Sequence, residues 1–237
     1  MKKNILIKAA LAAAMFTASL ANAGTVEDEI VRNISPLLNN MPVEKVLPSG
    51  HAGLYEVLTP RGLFYTDKKG SFVLFGAVMV DTKTKENLTE RRMDELVKFD
   101  FADFPLKDAI KTVKGDGSRV LVTFEDPNCG FCKRLAGEFE KLNNVTIYTF
   151  LTPILSPDSN VKANDIWCAP DAAKAWADLM TKNIAAPKVT STCQTPIDRN
   201  LALYRKLHIT GTPAIFYKNA PKERGYVTAE HIESKLK

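Results

Sequence analysis

The chain has 237 residues, 45% of them hydrophobic, which is enough to bury a substantial core in one or two domains. It carries a formal charge of +5 but no arginine-rich run with interleaved aromatics, which excludes a nucleic-acid surface of the usual kind. The first 23 residues read as an export signal. Lys2, Lys3 and Lys8 form a positive start, Ala9 to Ala21 an apolar run of 13 residues, and Ala21-Asn22-Ala23 a small-x-small cleavage site. That run is too short to span a bilayer, and no later stretch is apolar for 18 residues. Removing the signal leaves 29 basic against 27 acidic residues, a formal charge of +2 on an exported, soluble protein that begins near Gly24. All four cysteines lie in the second half, and cysteines in an exported chain fit an oxidising compartment.

Residues 24–40 read as an amphipathic helix. Val26, Ile30, Ile34 and Leu38 recur every four residues, and Pro36 ends or kinks it. Short β-like pieces follow: Gly53 to Thr59, Gly62 to Asp67 after the Pro60-Arg61-Gly62 turn, and Ser71 to Val80 after Asp67-Lys-Lys-Gly70. A helix with a strand meander of about 60 residues is marginal by itself, and pairing edge to edge with a copy of itself is its cheapest route to more burial. Residues 24–86 are therefore expected to form a dimerisation domain, with a monomeric module docked on the second domain as the alternative. Residues 87–105 read as a linker helix, with Thr89 as N-cap, an apolar stripe of Met93, Leu96, Val97, Phe101 and Phe104, and a stop at Pro105.

The second domain, residues 106–237, opens with the loop Lys114-Gly-Asp-Gly-Ser118 and a buried strand from Val120 to Phe124. Pro127 and Asn128 end that strand. The pattern then turns helical, with Leu135, Phe139 and Leu142 at spacings of four and three. Val145 to Leu151 is a second strand, expected to lie parallel to the first across a βαβ crossover. Pro153 to Asp158 reads as a loop, Val161 to Lys182 as helical, Thr195-Pro196-Ile197-Asp198 as a capped helix start, Gly211 to Lys218 as a loop into a strand, and Thr228 to Lys237 as a last helix.

The chemistry concentrates at Cys129-Gly130-Phe131-Cys132, in the first turn of a helix just after a strand. A helix N-terminus carries roughly half a positive charge and unpaired N–H groups, so a thiolate there is stabilised. Cys129 is therefore expected to be acidic and exposed, with Cys132 one turn on, close enough to close a disulfide and more buried. That is the equipment of thiol–disulfide exchange. A lone Cys-x-x-Cys is also half of a zinc site, but such a site needs two more ligands. Cys168 and Cys193 are not a second Cys-x-x-Cys, and His51, His208 and His231 are scattered, so no metal and no cofactor are expected. Glu125 and Asp126 are candidate acceptors for the Cys132 proton, with ordinary loop carboxylates as the alternative. Lys133 and Arg134 read as a solvated face.

Phe124-Glu-Asp-Pro-Asn-Cys-Gly-Phe-Cys132, Ile166-Trp-Cys168-Ala and Gly211-Thr-Pro-Ala214 together resemble the DsbC/DsbG family of periplasmic disulfide isomerases, and Leu63-Phe-Tyr-Thr-Asp67 extends the resemblance into the first domain. The resemblance implies an α+β, cystatin-like dimerisation domain, a linker helix and an α/β thioredoxin-like catalytic domain with a helical insertion. It implies a V-shaped homodimer whose apolar cleft holds misfolded, disulfide-containing exported proteins. It also implies a membrane thiol reductase of the DsbD kind that keeps the active-site pair reduced. Cys168 and Cys193 match the family's structural disulfide, and Thr212-Pro213 matches its cis-proline loop, where an extended substrate pairs with the backbone. Two features differ from the family. The dipeptide between the cysteines is Gly130-Phe131, where DsbC typically has Gly-Tyr and DsbG Pro-Tyr, and Asp126-Pro127-Asn128 is not the usual lead-in. The expected activity is isomerisation and reduction of wrong disulfides. A dimeric chaperone with secondary redox activity and a dithiol oxidase are the alternatives.

Overall fold

The structure, a computed structural model, describes residues 25–189 and 192–236. The export-signal reading of residues 1–23 lies outside the described residues. Two sheets organise the chain: a four-stranded antiparallel meander in strand order β1-β2-β3-β4, and a five-stranded mixed sheet in order β5-β7-β6-β8-β9.

The first sheet comprises β1 (Lys45–Pro48), β2 (Tyr55–Thr59), β3 (Gly62–Thr66) and β4 (Val73–Leu74). Alternation along its central hairpin gives it two apolar faces. Val57 and Phe64, paired in register, pack under Ile30 and Ile34 of α1 (Val26–Ile34) and under Leu38. Leu58, Leu63 and Tyr65 pack against Met93 of α2 (Leu88–Leu96). On that same face the buried Glu56 carboxylate is met by Arg92 Nε at 2.8 Å. The first helix starts at a capping box between Thr25 and Asp28 and stops before Pro36, as its sequence requires.

Four details differ from the sequence reading. Of the run Ser71 to Val80 only Val73 and Leu74 join the sheet, because Gly76 at φ +65° turns the chain away, and Val80 makes a lone antiparallel bridge to Asn87. The short edge strand β1 carries no periodic signal and was not expected. The linker helix is capped by Asn87, whose side chain accepts from Glu90 N, while Thr89 Oγ1 instead accepts from Met79 N and meets Tyr65 Oη at 2.8 Å. This helix ends at Leu96 and does not continue to Phe104. Asp100 accepts from Ala102 N and starts a separate 3-10 turn, Phe101–Asp103. That turn delivers Phe99, Phe101 and Phe104 onto the second sheet, beside Phe124 and Phe150, whose rings stack 5.0 Å apart.

In the second sheet, β6 (Arg119–Glu125) runs parallel to β7 (Val145–Leu151), joined by α3 (Gly130–Phe139). β5 (Ile110–Lys114), a strand the sequence reading passed over, pairs with β7. β8 (Ala214–Tyr217) pairs with β6, and β9 (Glu223–Arg224) with β8. Leu121 of β6 packs against Leu135 and Phe139 of α3 and Ile232 of α7 (Ala229–Lys235). Val122 and Phe124 point the other way, toward Tyr204 of α6 (Ile197–Lys206). The helical stretch expected from Val161 to Lys182 is two helices, α4 (Pro157–Trp167) and α5 (Ala172–Lys182), broken where Pro170 cannot continue a helix and Asp171 caps the next. Thr195 does not cap α6; its hydroxyl donates to Asn164 Oδ1, and Pro196 occupies the cap position with no side-chain bond. The order strand, helix, strand, helical insertion, hairpin and final helix is a thioredoxin-like plan.

Candidate active site

The buried β6 strand ends where Pro127 removes a backbone donor, and α3 begins three residues later. Cys129 occupies the N-cap of α3, and its sulfur accepts from Cys132 N at 3.4 Å, the bond a serine or aspartate makes at other helix starts. Cys132 sits one turn in, on the helix face turned to the sheet. Both thiols are free.

The loop before Cys129 is tied down by a network the sequence did not reveal. Asp126 is fully buried, and its carboxylate accepts from Asn128 N (2.7 Å), Ile154 N (2.8 Å), Leu155 N (2.9 Å) and Ser159 Oγ (2.8 Å). The Asn128 amide donates to Asp158, Ser156 and Ser159, and its carbonyl accepts from Lys162 Nζ. The residue preceding the first cysteine is thereby fastened to the start of α4. The Ser156-Pro157 helix start was the one readable sign of this docking, and the expected loop of Pro153 to Asp158 runs two residues into α4.

The peptide bond from Thr212 to Pro213 is cis. The Cys129 sulfur lies 3.3 Å from Thr212 O, to which it donates only when protonated, and this contact brings the Thr212-Pro213 loop and the cysteine pair together at the C-terminal end of β6. This loop covers Cys129 more than its sequence position suggested: the residue is 5% exposed, whereas Cys132 is at 0%. Gly130 leaves open space beside Cys129, and Phe131 stands out at 56% exposure. Arg134 is not simply solvated. Its guanidinium lies 5.7 Å from the Phe131 ring centre and 4.3 Å from that of Tyr226. Lys133 reaches Asn183 Oδ1 at 2.9 Å. His208 Nε2 stands 3.4 Å from Glu44 and His231 Nε2 2.7 Å from Glu223, both away from the cysteines. Cys168 and Cys193 are joined by a disulfide that ties the break between α4 and α5 to the segment entering α6.

The two thiols differ sharply in acidity. The Cys129 thiolate is favoured first by a hydrogen bond from the Cys132 thiol, then by the Thr212 side chain and the N–H groups of Cys132 and Phe131. These outweigh burial and bring its pKa down to about 5. Cys132 is driven strongly upward by burial, by its role as donor to Cys129 and by the neighbouring Glu125 carboxyl. One sulfur is thus an anion at neutral pH and the other a held-back thiol, one helical turn apart, a division of labour suited to attack followed by resolution.

Comparison with known proteins agrees with this geometry. Residues 106–237 match the model of a thioredoxin-like domain, and residues 20–90 match that of a disulfide bond isomerase protein N-terminal domain. The chain is 46% identical over 184 residues to a probable thiol:disulfide interchange protein DsbC of Bordetella pertussis, covering 78% of this chain and 65% of that relative's length. A probable thiol:disulfide interchange protein DsbC of Bordetella avium is 36% identical over 211 residues, covering 89% of this chain and 75% of its own. Among solved structures, a disulfide interchange protein from Neisseria gonorrhoeae is similar, with 40% identity and a TM-score of 0.53 over 56% of this chain and 96% of that one. Its two matched domains and its relatives together establish that the chain belongs to the DsbC family of thiol:disulfide interchange proteins.

Proposed function

We propose that this protein is a periplasmic disulfide isomerase with attendant reductase activity, acting on misfolded, disulfide-containing exported proteins. The observation that carries the proposal is the opposed acidity of Cys129 and Cys132 within one helical turn. The Cys129 thiolate attacks one sulfur of a wrong substrate disulfide. A Cys129–substrate disulfide forms, and the other substrate sulfur leaves as a thiolate. A second substrate thiolate can then attack the substrate sulfur of this mixed disulfide, returning Cys129 as a thiolate and leaving the substrate with a new pairing. Alternatively Cys132 attacks Cys129, which reduces the substrate by two electrons and leaves the enzyme oxidised. In that second case a membrane thiol reductase of the DsbD kind restores the dithiol. The cis Thr212-Pro213 peptide beside Cys129 supports a role for this loop in pairing with the backbone of an extended substrate.

The division into a signal at 1–23, a dimerisation domain at 24–86, a linker at 87–105 and a catalytic domain at 106–237 belongs to the same proposal. Homodimerisation is supported by the outer strand of the first sheet. Phe72, Leu74, Phe75, Val78 and Val80 are all exposed along and just beyond β4, and Phe75 is at 52%. An apolar row on an open sheet edge is stabilised by pairing with a second copy.

The test is refolding of a substrate with scrambled disulfides, with Cys129→Ala, Cys132→Ala and the double variant. Cys129→Ala should abolish rearrangement, and Cys132→Ala should retain it while accumulating mixed disulfides. Full biological effect in the double variant would assign the role to a chaperone. A mostly oxidised Cys129–Cys132 pair in cells, seen by thiol trapping, would assign it to an oxidase.

A further inference from the structure

We propose that the cavity between the linker and the far end of β8 is a binding site for a fatty-acid-like carboxylate, an alkyl chain with one anionic head. This site is separate from the cysteine pair and goes beyond the thiol-exchange reading.

Two segments of the chain build the cavity. After α2 the sequence runs Val97-Lys98-Phe99-Asp100-Phe101, and the 3-10 turn at Phe101–Asp103 sets Phe104 against the second sheet. The ring centre of Phe104 lies 4.8 Å from that of Phe99, 5.4 Å from that of Phe101 and 5.3 Å from that of Phe216 in β8. From the other side, the turn between β8 and β9 carries Lys218, Pro221 and Lys222 over the same space. The volume left between them is about 490 Å³. Its floor is apolar and closed, with Phe104 at 5% exposure and Leu207 at 2%. Small-molecule sites run from about 300 to 1,000 Å³, have mostly apolar and aromatic walls, and favour seams between domains. This cavity meets all three conditions. Ala214, at the start of β8, follows the cis Pro213 beside the cysteines, whereas Phe216 and Lys218 belong to the opposite end of that strand.

The charges at the mouth set the sign of the ligand. The Lys222 side chain is 10% exposed, and its ammonium is held by Asp94 at 2.8 Å and lies 5.7 Å from the Phe216 ring centre. Asp94 is shared with Arg224, whose Nη2 is 3.4 Å away, and Glu90 faces Nη1 of the same guanidinium at 3.4 Å. Two cations thus meet two carboxylates and cancel. Three more lysines add to them. Lys98 and Lys218 line the cavity, and Lys206 Nζ stands 5.8 Å over the Phe99 ring. Among the described residues none of these three forms an ion pair. Asp100 and Asp103, the nearby acids of the linker, do not line the cavity.

An aromatic recess with a surplus of positive charge at its mouth suits an apolar body with an anionic head. Burial of the alkyl chain supplies the affinity, and the lysines select the head. A protein partner fits less well: a stable protein interface covers about 800 Å² on each side, whereas the apolar surface here is the floor of a recess.

Isothermal titration of the full-length protein with sodium decanoate, kept below its micelle concentration, tests the proposal. One decanoate per chain should bind saturably. Decyltrimethylammonium, with the same chain and the opposite head, should bind at least about tenfold more weakly. Lys98→Glu combined with Lys218→Glu, both at exposed positions, should weaken decanoate by about tenfold as two attractions become repulsions, and should not weaken decyltrimethylammonium. Phe101→Ala, which shortens one wall, should weaken both amphiphiles. The alkylation rate of Cys129 should be the same in every variant, which separates loss of the site from loss of the fold. Decanoate binding that is absent, that decyltrimethylammonium matches, or that survives the two charge reversals overturns the proposal. Exchange at Cys129 is untouched by any of these outcomes.

Discussion

Glu125 and Cys129 make opposite demands on pH, and their balance gives a stability prediction with a definite sign. The carboxyl of Glu125 has an ordinary value of 4.5 and a folded value of about 8. Between those limits the folded protein keeps a proton that the unfolded chain has lost. The associated stability is fully present below 4.5 and is lost as pH rises, at about 1.4 kcal/mol per unit. Cys129 runs the other way, from an ordinary 9.0 to about 5 in the folded protein. There the unfolded chain keeps the proton, so stability is lost as pH falls and is regained at about the same rate on going from 5 to 9. The two slopes cancel between about pH 5 and 8, and the reduced wild type should be nearly flat there. Glu125→Gln removes the falling slope and should gain about 4 kcal/mol across that range. Cys129→Ala removes the rising one and should lose about the same. Trp167 and Trp176 both lie in the helical insertion of the catalytic domain, so denaturant unfolding followed by tryptophan fluorescence reports on the right unit. Excess reductant opens Cys168–Cys193 equally in every variant and leaves the slopes comparable. Parallel curves for wild type and Glu125→Gln would refute the reasoning.

Asp126→Ala strands three part-buried backbone N–H groups and a buried serine hydroxyl, at about 1–3 kcal/mol for each group left unpaired and out of reach of water. Chemical denaturation should show a loss of about 4 kcal/mol or more, and alkylation of Cys129 should become less uniform as its lead-in loosens. Replacing Cys168 and Cys193 together by alanine removes a cross-link over a separation of 25 residues, worth about 3.5 kcal/mol in the chain-entropy model. Calorimetry should record the lower stability, while single-turnover exchange at Cys129 persists. Phe75→Asp places a charge on the open edge of the first sheet and should weaken self-association by about a hundredfold, given about 2–3 kcal/mol for a buried phenylalanine. Sedimentation at low concentration measures it directly.

Much of this architecture was legible in the sequence because its strongest signals coincide with its most buried elements. Val120 to Phe124 and Val145 to Leu151 are continuous apolar runs, and they pair in parallel at the centre of the sheet. The cysteine spacing placed both thiols in one helical turn. What was not legible is what tertiary contacts decide. Asn87 and Thr89 are both good caps, and only the packing of Tyr65 and Met79 recruits the Thr89 hydroxyl and leaves the cap to Asn87. Phe101 and Phe104 fit a helical stripe equally well on paper, but the apolar face of the second sheet offers them deeper burial once Asp100 has started its own turn. β5 carries only a five-residue alternation whose outer side chains face solvent, which is weak beside the core runs. At the site, the difference between Glu125 and Asp126 turns entirely on which side chains come home from elsewhere in the chain. Asp126 meets α4 and its lead-in, and Glu125 is left buried with only the neighbouring Thr123 hydroxyl near its carboxyl.

The most direct measurement is the ionisation of Cys129 in the reduced protein, read from the pH dependence of its alkylation or from thiolate absorbance, with Cys132→Ala beside it. The wild type should titrate near pH 5. Cys132→Ala, lacking the first of the thiolate's donors, should titrate about one to two units higher, in keeping with about 1.5–3 kcal/mol for a hydrogen bond to a charged group. A wild-type midpoint between 8 and 9, unmoved by Cys132→Ala, would contradict the account at its root.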